Sequence, residues 1–433
     1  MLELPDTGAL REVRLARVAA RGVPGLPDRR RRRFPRRSRP ARLGDLVRPG
    51  GSPQAPLTEP RRADLDLLPG LGAPQLRAPA PHRVSGDLVQ RAAALADRLV
   101  RHRWQVWWFA DSVGFEGLLA ATEVTGDERY RHFAYGLVRG WLARTLPRWG
   151  AWQTPGWHRF DHTAPGTAMV DLAVHFQDDQ LLSKLEELAE WQTARPQAGG
   201  VVLLDPEYAL WAWVDCMQFQ GPFLTRLAAA TGNEAHRAAG VRFLLSHHEV
   251  LADESRLYSH VYDVTLGRAN GIHWGRGQGW AMRGLWQTWS HLPKDSQERA
   301  QIGAILSAHL DALVAFQQES GHWRTIVDDP EAYEETSVAA FYVSTAYPAL
   351  VAGLLDEDRH GPAVERAWRA VEAAIGDDGR YRGVSADTHA GDVEHYRSVQ
   401  RDVICPWGQG PAVLAIQERL RAVEAGLAAA GRS

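Results

Sequence analysis

With only two cysteines, Cys216 and Cys405, the chain cannot build a disulfide framework, and a reducing, cytoplasmic location is expected. No apolar run approaches the roughly 20 residues of a membrane-spanning helix. The first residues also lack the apolar stretch of a secretory signal. Zinc or calcium ligand spacing, a serine nucleophile elbow, a P-loop and a dinucleotide fingerprint are all missing, so neither a metal nor a cofactor is expected. Adjacent His247 and His248 point to different faces of a helix and do not make a shared metal site. Net charge is close to zero, at -2, yet it is unevenly spread. An arginine run (Arg29 to Arg33, Arg36, Arg37, Arg39) and about half of the 25 prolines crowd into residues 1–80. That stretch lacks the apolar periodicity that offsets ordering entropy, so it is expected to be disordered. It is either a basic arm for an anionic surface or a solvated extension; we take the second, and expect neither nucleic acid nor membrane as a partner.

What remains, residues 81–433, is a body able to fill a large core, since hydrophobic residues make up 45% of the chain and charged ones 24%. Its organisation is a repeated pair of helices. Small-and-apolar segments at 113–124, 166–176, 222–231, 279–289, 336–351 and 410–423 alternate with amphipathic ones at 87–101, 127–144, 179–193, 233–247, 296–317 and 362–374. The amphipathic segments repeat apolar residues every three or four positions, as a helix with one buried face does. Thr125-Gly126-Asp127 and Thr231-Gly232-Asn233 each set a glycine after one helix and a capping side chain before the next. Strand signals are confined to short pieces such as 201–204. The expected fold is therefore all-α, and six pairs form an open solenoid or a closed (α/α)6 barrel. Closure is preferred, because helices that are apolar all round need enclosure on every side. The loops leading into the inner helices would then line one end as a funnel.

The conspicuous side chains fall on those loops. Trp274-Gly-Arg-Gly-Gln-Gly-Trp280 sets an arginine between two tryptophans on a glycine-loosened backbone. Arg276 would grip a carboxylate through paired hydrogen bonds, and Trp274 or Trp280 would stack on a pyranose, a combination suited to an acidic sugar. Positive φ angles and close approach to a ligand would explain the glycines. A Gly-rich turn with its tryptophans in the core is the other reading. Asp215 sits among Trp213, Val214, Cys216 and Met217 with no basic neighbour in sequence, so desolvation should raise its pKa and suit it to general acid work. Trp107, Asp161, His162 and Glu335 occupy other lead-ins, as core, capping or sugar-binding residues. His260 is placed to hydrogen-bond a sugar, or is a satisfied structural residue.

These segments resemble the unsaturated glucuronyl and rhamnogalacturonyl hydrolases of glycoside hydrolase families 88 and 105. Trp274–Trp280, Val214–Phe223 and Glu335-Thr-Ser337 carry the resemblance most specifically, with Thr163–Gly166 and Leu257–His260 in support. It implies an (α/α)6 barrel that removes an unsaturated uronic acid from lyase-generated oligosaccharides, with Asp215 protonating the C4=C5 bond and then assisting water attack. It further implies that Arg276, Trp274, Trp280 and His260 line the sugar subsite. Two departures stand out: the order Asp161-His162, where the glucuronyl branch has a histidine followed by the aspartate, and Gln278, where the rhamnogalacturonyl branch usually has asparagine. A monomer or homodimer acting on a small acidic oligosaccharide is expected. A conventional glycosidase, epimerase or lyase for acidic sugars, or a non-catalytic glycan binder, would carry similar tryptophans.

Overall fold

The computed structural model describes residues 86–104, 109–143, 165–194, 197–198, 201–202 and 211–428. They fall within one compact unit, Leu76–Ser433. The 1–80 extension, Trp107, Asp161 and His162 lie outside the described residues. In chain order the elements are α1 (Gly86–Val100), a 3-10 turn (Phe109–Asp111), α2 (Ser112–Thr125), α3 (Arg129–Leu142), α4 (Gly166–Phe176) and α5 (Asp179–Thr193). Three short strands follow, β1 (Gln197–Ala198), β2 (Val201–Val202) and β3 (Trp211–Trp213), then α6 (Cys216–Thr231) and α7 (Glu234–Leu251). The chain continues through β4 (Val261–Asp263), β5 (Arg268–Ala269), α8 (Gly275–His291), α9 (Gln297–Ala315), β6 (Trp323–Arg324) and β7 (Glu334–Glu335). It ends with α10 (Ser337–Val351), α11 (Glu357–Ala374), α12 (Val393–Ser398) and α13 (Pro406–Glu424).

Sequence pattern decides which helices go inside. In α5 the buried residues Leu181, Leu185, Leu188 and Ala189 form one stripe, so the helix needs a neighbour on one side only. By contrast, α10 is buried from Ser337 to Leu350 with only Pro348 partly exposed, and such a helix must be surrounded. The surrounding is a ring: α2 packs on α4, α4 on α6, α6 on α8, α8 on α10, α10 on α13, and α13 returns to α2. The outer helix α1 packs on both α2 and α13 and covers the seam where the ring closes. Backbones touch at this seam, for a Cβ on Gly410 would lie 2.1 Å from the Val113 carbonyl oxygen. The fold is the closed (α/α)6 barrel.

Helix punctuation is as the composition demands. Gly126 and Gly232 end α2 and α6 with φ of 70° and 76°, and the Asn233 side chain accepts from the Ala235 and His236 amides to start α7. Three inner helices begin earlier than expected, α6 at Cys216, α8 at Gly275 and α13 at Pro406. Pro222 and Pro411 look like helix starts but lie inside α6 and α13, where each removes one backbone hydrogen bond and burial on all sides keeps the helix intact. Because outer and inner helices alternate, the inner N-termini gather at one end of the ring, and the candidate residues are found in their first turns.

Candidate active site

A small antiparallel sheet, β3-β4-β5, sets the central pair of side chains. Trp213 pairs with Val261, and the Val214 amide donates to the His260 carbonyl at 2.9 Å. One residue further on, Asp215 is the last residue before α6, so the ladder that aligns the strands also sets its carboxylate against the His260 ring. His260 Nε2 lies 3.6 Å from Asp215 Oδ2, and the two side chains are 1% and 13% exposed. Among the described residues, no hydrogen bond reaches Asp215 Oδ2. The other ring nitrogen, Nδ1, is 2.6 Å from the Tyr396 hydroxyl. Trp213 and Trp274 pack on the imidazole, with centroids 5.1 and 4.3 Å away. Burial lowers the pKa of His260; the Asp215 carboxylate opposes this, and the charge of Arg276 reinforces it, so the ring is neutral. Asp215, read as lacking a basic neighbour, thus has an imidazole brought to it by strand pairing.

The tryptophan-arginine segment departs from expectation. Gly275, Gly277 and Gly279 are helical, and none has positive φ. They are glycine because protein, not ligand, comes close: a Cβ there would fall 2.5 Å from the Arg324 carbonyl oxygen, 2.8 Å from Val214 and 2.7 Å from Phe341 respectively. Trp280 is fully buried between Phe219 and Phe341, and Trp274 is 2% exposed beneath Arg276 and beside His260. Neither ring is open to a pyranose, Trp280 because α8 turns it into the barrel and Trp274 because Arg276 and His260 cover it. Trp213 keeps some exposed surface. Arg276 is 2% exposed, and its guanidinium is engaged within the protein. Nη1 donates to the Ser385 carbonyl and hydroxyl at 3.0 and 2.5 Å, and Nη2 to the Ala386 carbonyl and Thr388 hydroxyl at 2.7 and 3.1 Å. The expected fork free to grip a substrate carboxylate is instead a clamp on residues 385–388. Its charge still acts on His260 nearby.

Glu335 belongs to the same clamp rather than to an exposed sugar surface. It is 1% exposed and 3.6 Å from Arg276; Oε2 accepts from the Ser337 hydroxyl, opening α10, and Oε1 from the Ser385 amide. Gln278, where the branches differ, exchanges two hydrogen bonds with the Tyr258 backbone at 2.8 and 2.7 Å, fixing the segment that leads through His260 into β4. Asp111, at the lead-in to α2, is fully buried with Oδ1 3.5 Å from His102. His260 itself is closed off, both nitrogens facing protein, so direct bonding to a sugar is not its arrangement here.

Sequence reading missed Tyr396, Asn270, Ser385 and Thr388. Tyr396 lies on α12 within the connection 375–405, which has no helical period before α12; its unusual length was the available signal. Arg276, Trp407 and Arg397 tie this connection down, the last through two hydrogen bonds to Asp329. Among the described residues, the site offers one partly accessible carboxylate backed by a neutral imidazole, while the oxygens of Glu335 are spent. A carboxylate so held can donate and retake a proton.

Residues 84–423 match the profile of Glycosyl Hydrolase Family 88. Among curated proteins, the chain is 28% identical over 345 residues to the unsaturated rhamnogalacturonyl hydrolase YesR of Bacillus subtilis, covering 77% of this chain and 96% of that one. Its fold is similar to a solved possible member of the GH105 family from Salmonella enterica (TM-score 0.69, 22% identity, 81% of this chain and 98% of that chain). It is similar as well to the unsaturated glucuronyl hydrolase of Bacillus sp. GL1 (TM-score 0.60, 18% identity, 81% and 99%).

Proposed function

Since this chain belongs to glycosyl hydrolase family 88, we propose that it removes a 4,5-unsaturated uronic acid from the non-reducing end of lyase-generated oligosaccharides, with Asp215 as the acid that starts the reaction. The observation that carries this reading is the Asp215 carboxylate at the start of α6, which among the described lead-in carboxylates Asp111, Asp215 and Glu335 is the one that keeps exposed surface, 13%, with His260 behind it. An ordinary glycosidase needs two carboxylates flanking the glycosidic bond, roughly 5 to 10 Å apart. Hydration of a vinyl ether needs one. Asp215 gives its proton to C4, which leaves the positive charge shared between C5 and the ring oxygen. The resulting carboxylate then takes a proton from water as the oxygen of that water bonds to C5. Transfer of the C5 hydroxyl proton to the ring oxygen breaks the bond between C5 and that oxygen, giving a ketone at C5 and a hemiacetal at C1. Collapse of the hemiacetal expels the next sugar.

In this reading Trp213 offers the pyranose its exposed face, and Arg276 draws the uronate by its charge while holding residues 385–388 in shape. The test is loss of ultraviolet absorbance from the conjugated double bond of disaccharides produced by pectin, alginate, glycosaminoglycan and xanthan lyases. At least one should be consumed by the wild-type protein and none by a folded Asp215→Asn variant. A wild-type protein inert towards all of them ends the proposal.

A further inference from the structure

Tyr396 is fully buried, far down the chain from Asp215, and its hydroxyl bonds the far side of the His260 ring that faces Asp215. Its oxygen receives a hydrogen bond from Asn270 Nδ2, at 3.4 Å, while Asn270 Oδ1 accepts from the Ile272 amide. A phenol oxygen has two acceptor positions and one proton. Of the two groups that bond this hydroxyl among the described residues, Asn270 Nδ2 can only donate, so the acceptor for the phenol proton is His260 Nδ1, 2.6 Å away. A neutral imidazole that accepts at Nδ1 must carry its own proton on Nε2, and Nε2 is the nitrogen facing Asp215 Oδ2.

We propose that Tyr396 is a positioning residue for the acid: by donating to His260 Nδ1 it fixes the Nε2–H tautomer, whose N–H points at Asp215 Oδ2 and leaves the acid proton to Oδ1. This rests on the functional reading of Asp215 given above. At 3.6 Å the N–H contact is long for a hydrogen bond, and such contacts tighten in substrate complexes. The consequence is directional. Were Nε2 bare, it would accept the carboxylic proton, drawing it to Oδ2 and away from the sugar. The groups facing His260 are Asp215 from the α6 lead-in, Arg276 from α8, Tyr396 from α12 and, on the surface loop, His389. None of the other three supplies a donor to Nδ1 in place of the phenol.

Tyr396→Phe removes the one donor and keeps the ring. Expected is a fall in kcat of about 10- to 100-fold with KM within about twofold, and displacement of the alkaline limb of the kcat profile to higher pH, because a bare Nε2 favours the protonated acid. Combined with His260→Ala, the same change should cost less than about twofold further, since its effect passes through that ring. A drop in kcat with an unmoved limb, or full additivity in the double variant, overturns the proposal. The tautomer can also be read without turnover, by long-range nitrogen-proton correlation in histidine-labelled protein, with His260 assigned by its loss in His260→Ala. An Nε2–H signal in the wild type that becomes Nδ1–H or mixed in Tyr396→Phe supports the proposal. A wild-type ring already protonated on Nδ1 overturns it. If no unsaturated uronide is cleaved, the functional reading falls while the spectrum still decides the tautomer.

Discussion

Arg276 carries a full charge into a place where 2% of it meets solvent, so the groups around it have to match that charge. They do so through two backbone carbonyls, two hydroxyls and the Glu335 carboxylate, with Trp274 and Trp407 packed on the guanidinium at 4.6 and 5.4 Å. Removing it leaves Glu335 buried without its cation. Arg276→Ala should therefore lower unfolding free energy by about 3–5 kcal/mol in chemical denaturation. A variant of unchanged stability with only KM raised would mean the guanidinium serves the substrate instead. His273, next to the same segment, makes a second prediction. Burial works against its charge, but Asp328 at 2.8 Å and Asp253 at 2.9 Å outweigh it, so its pKa is raised. A raised folded value means the contribution is complete below pH 6.5 and is lost as pH rises through that folded value. Buried His247 and His309, pushed down to about 4, act the other way and cost stability as pH falls below 6.5. Between pH 6 and 8.5 the melting temperature should drop by about 1–3 °C more in wild type than in His273→Gln. Equal slopes would remove His273 from the account.

Helices were legible in the sequence because their determinants are local. Stripes such as Leu181, Leu185 and Leu188, and the glycine stops at 126 and 232, fix period and end within one segment. The starts at Cys216 and Pro406, upstream of Pro222 and Pro411, were not, since what carries a helix through an internal proline is enclosure by neighbouring helices. The site divides likewise. Asp215 stood out by its apolar company and His260 by its segment, but their meeting depends on β3 pairing with β4 across some fifty intervening residues. The three glycines around Arg276 were visible while the distant atoms that require them, on Arg324, Val214 and Phe341, were not. One further regularity appears only in space. Gln278 clamps Tyr258 and Gln409 clamps Tyr381 in the same way, each side chain accepting from the tyrosine amide while its amide group bonds a carbonyl of that segment. Two inner helices thus hold their preceding loops by one device, set in the related runs Trp-Gly-Arg-Gly-Gln-Gly and Trp-Gly-Gln-Gly.

At the scale of the whole ring, closure makes stability a shared property. The last helix, α13, packs on α1, α2 and α10, joining the end of the chain to its first helical pair. In an open solenoid, loss of a terminal repeat leaves the others nearly intact. Here, ending the chain before Pro406 exposes the inner face of α2 and the flank of α10 together, so cooperative thermal unfolding should vanish. A truncated protein that still melts in one sharp transition would speak for independent repeats. Gathering the inner N-termini at one end is what lets strand, helix and the 375–405 connection meet around Asp215 and His260. The most direct measurement of that carboxylate's role follows the double-bond absorbance of lyase-generated disaccharides with wild-type protein and with Asp215→Asn, after both are shown to fold alike. Decay is expected with the first and a rate about 100- to 10,000-fold lower with the second. Equal decay from both proteins would contradict it.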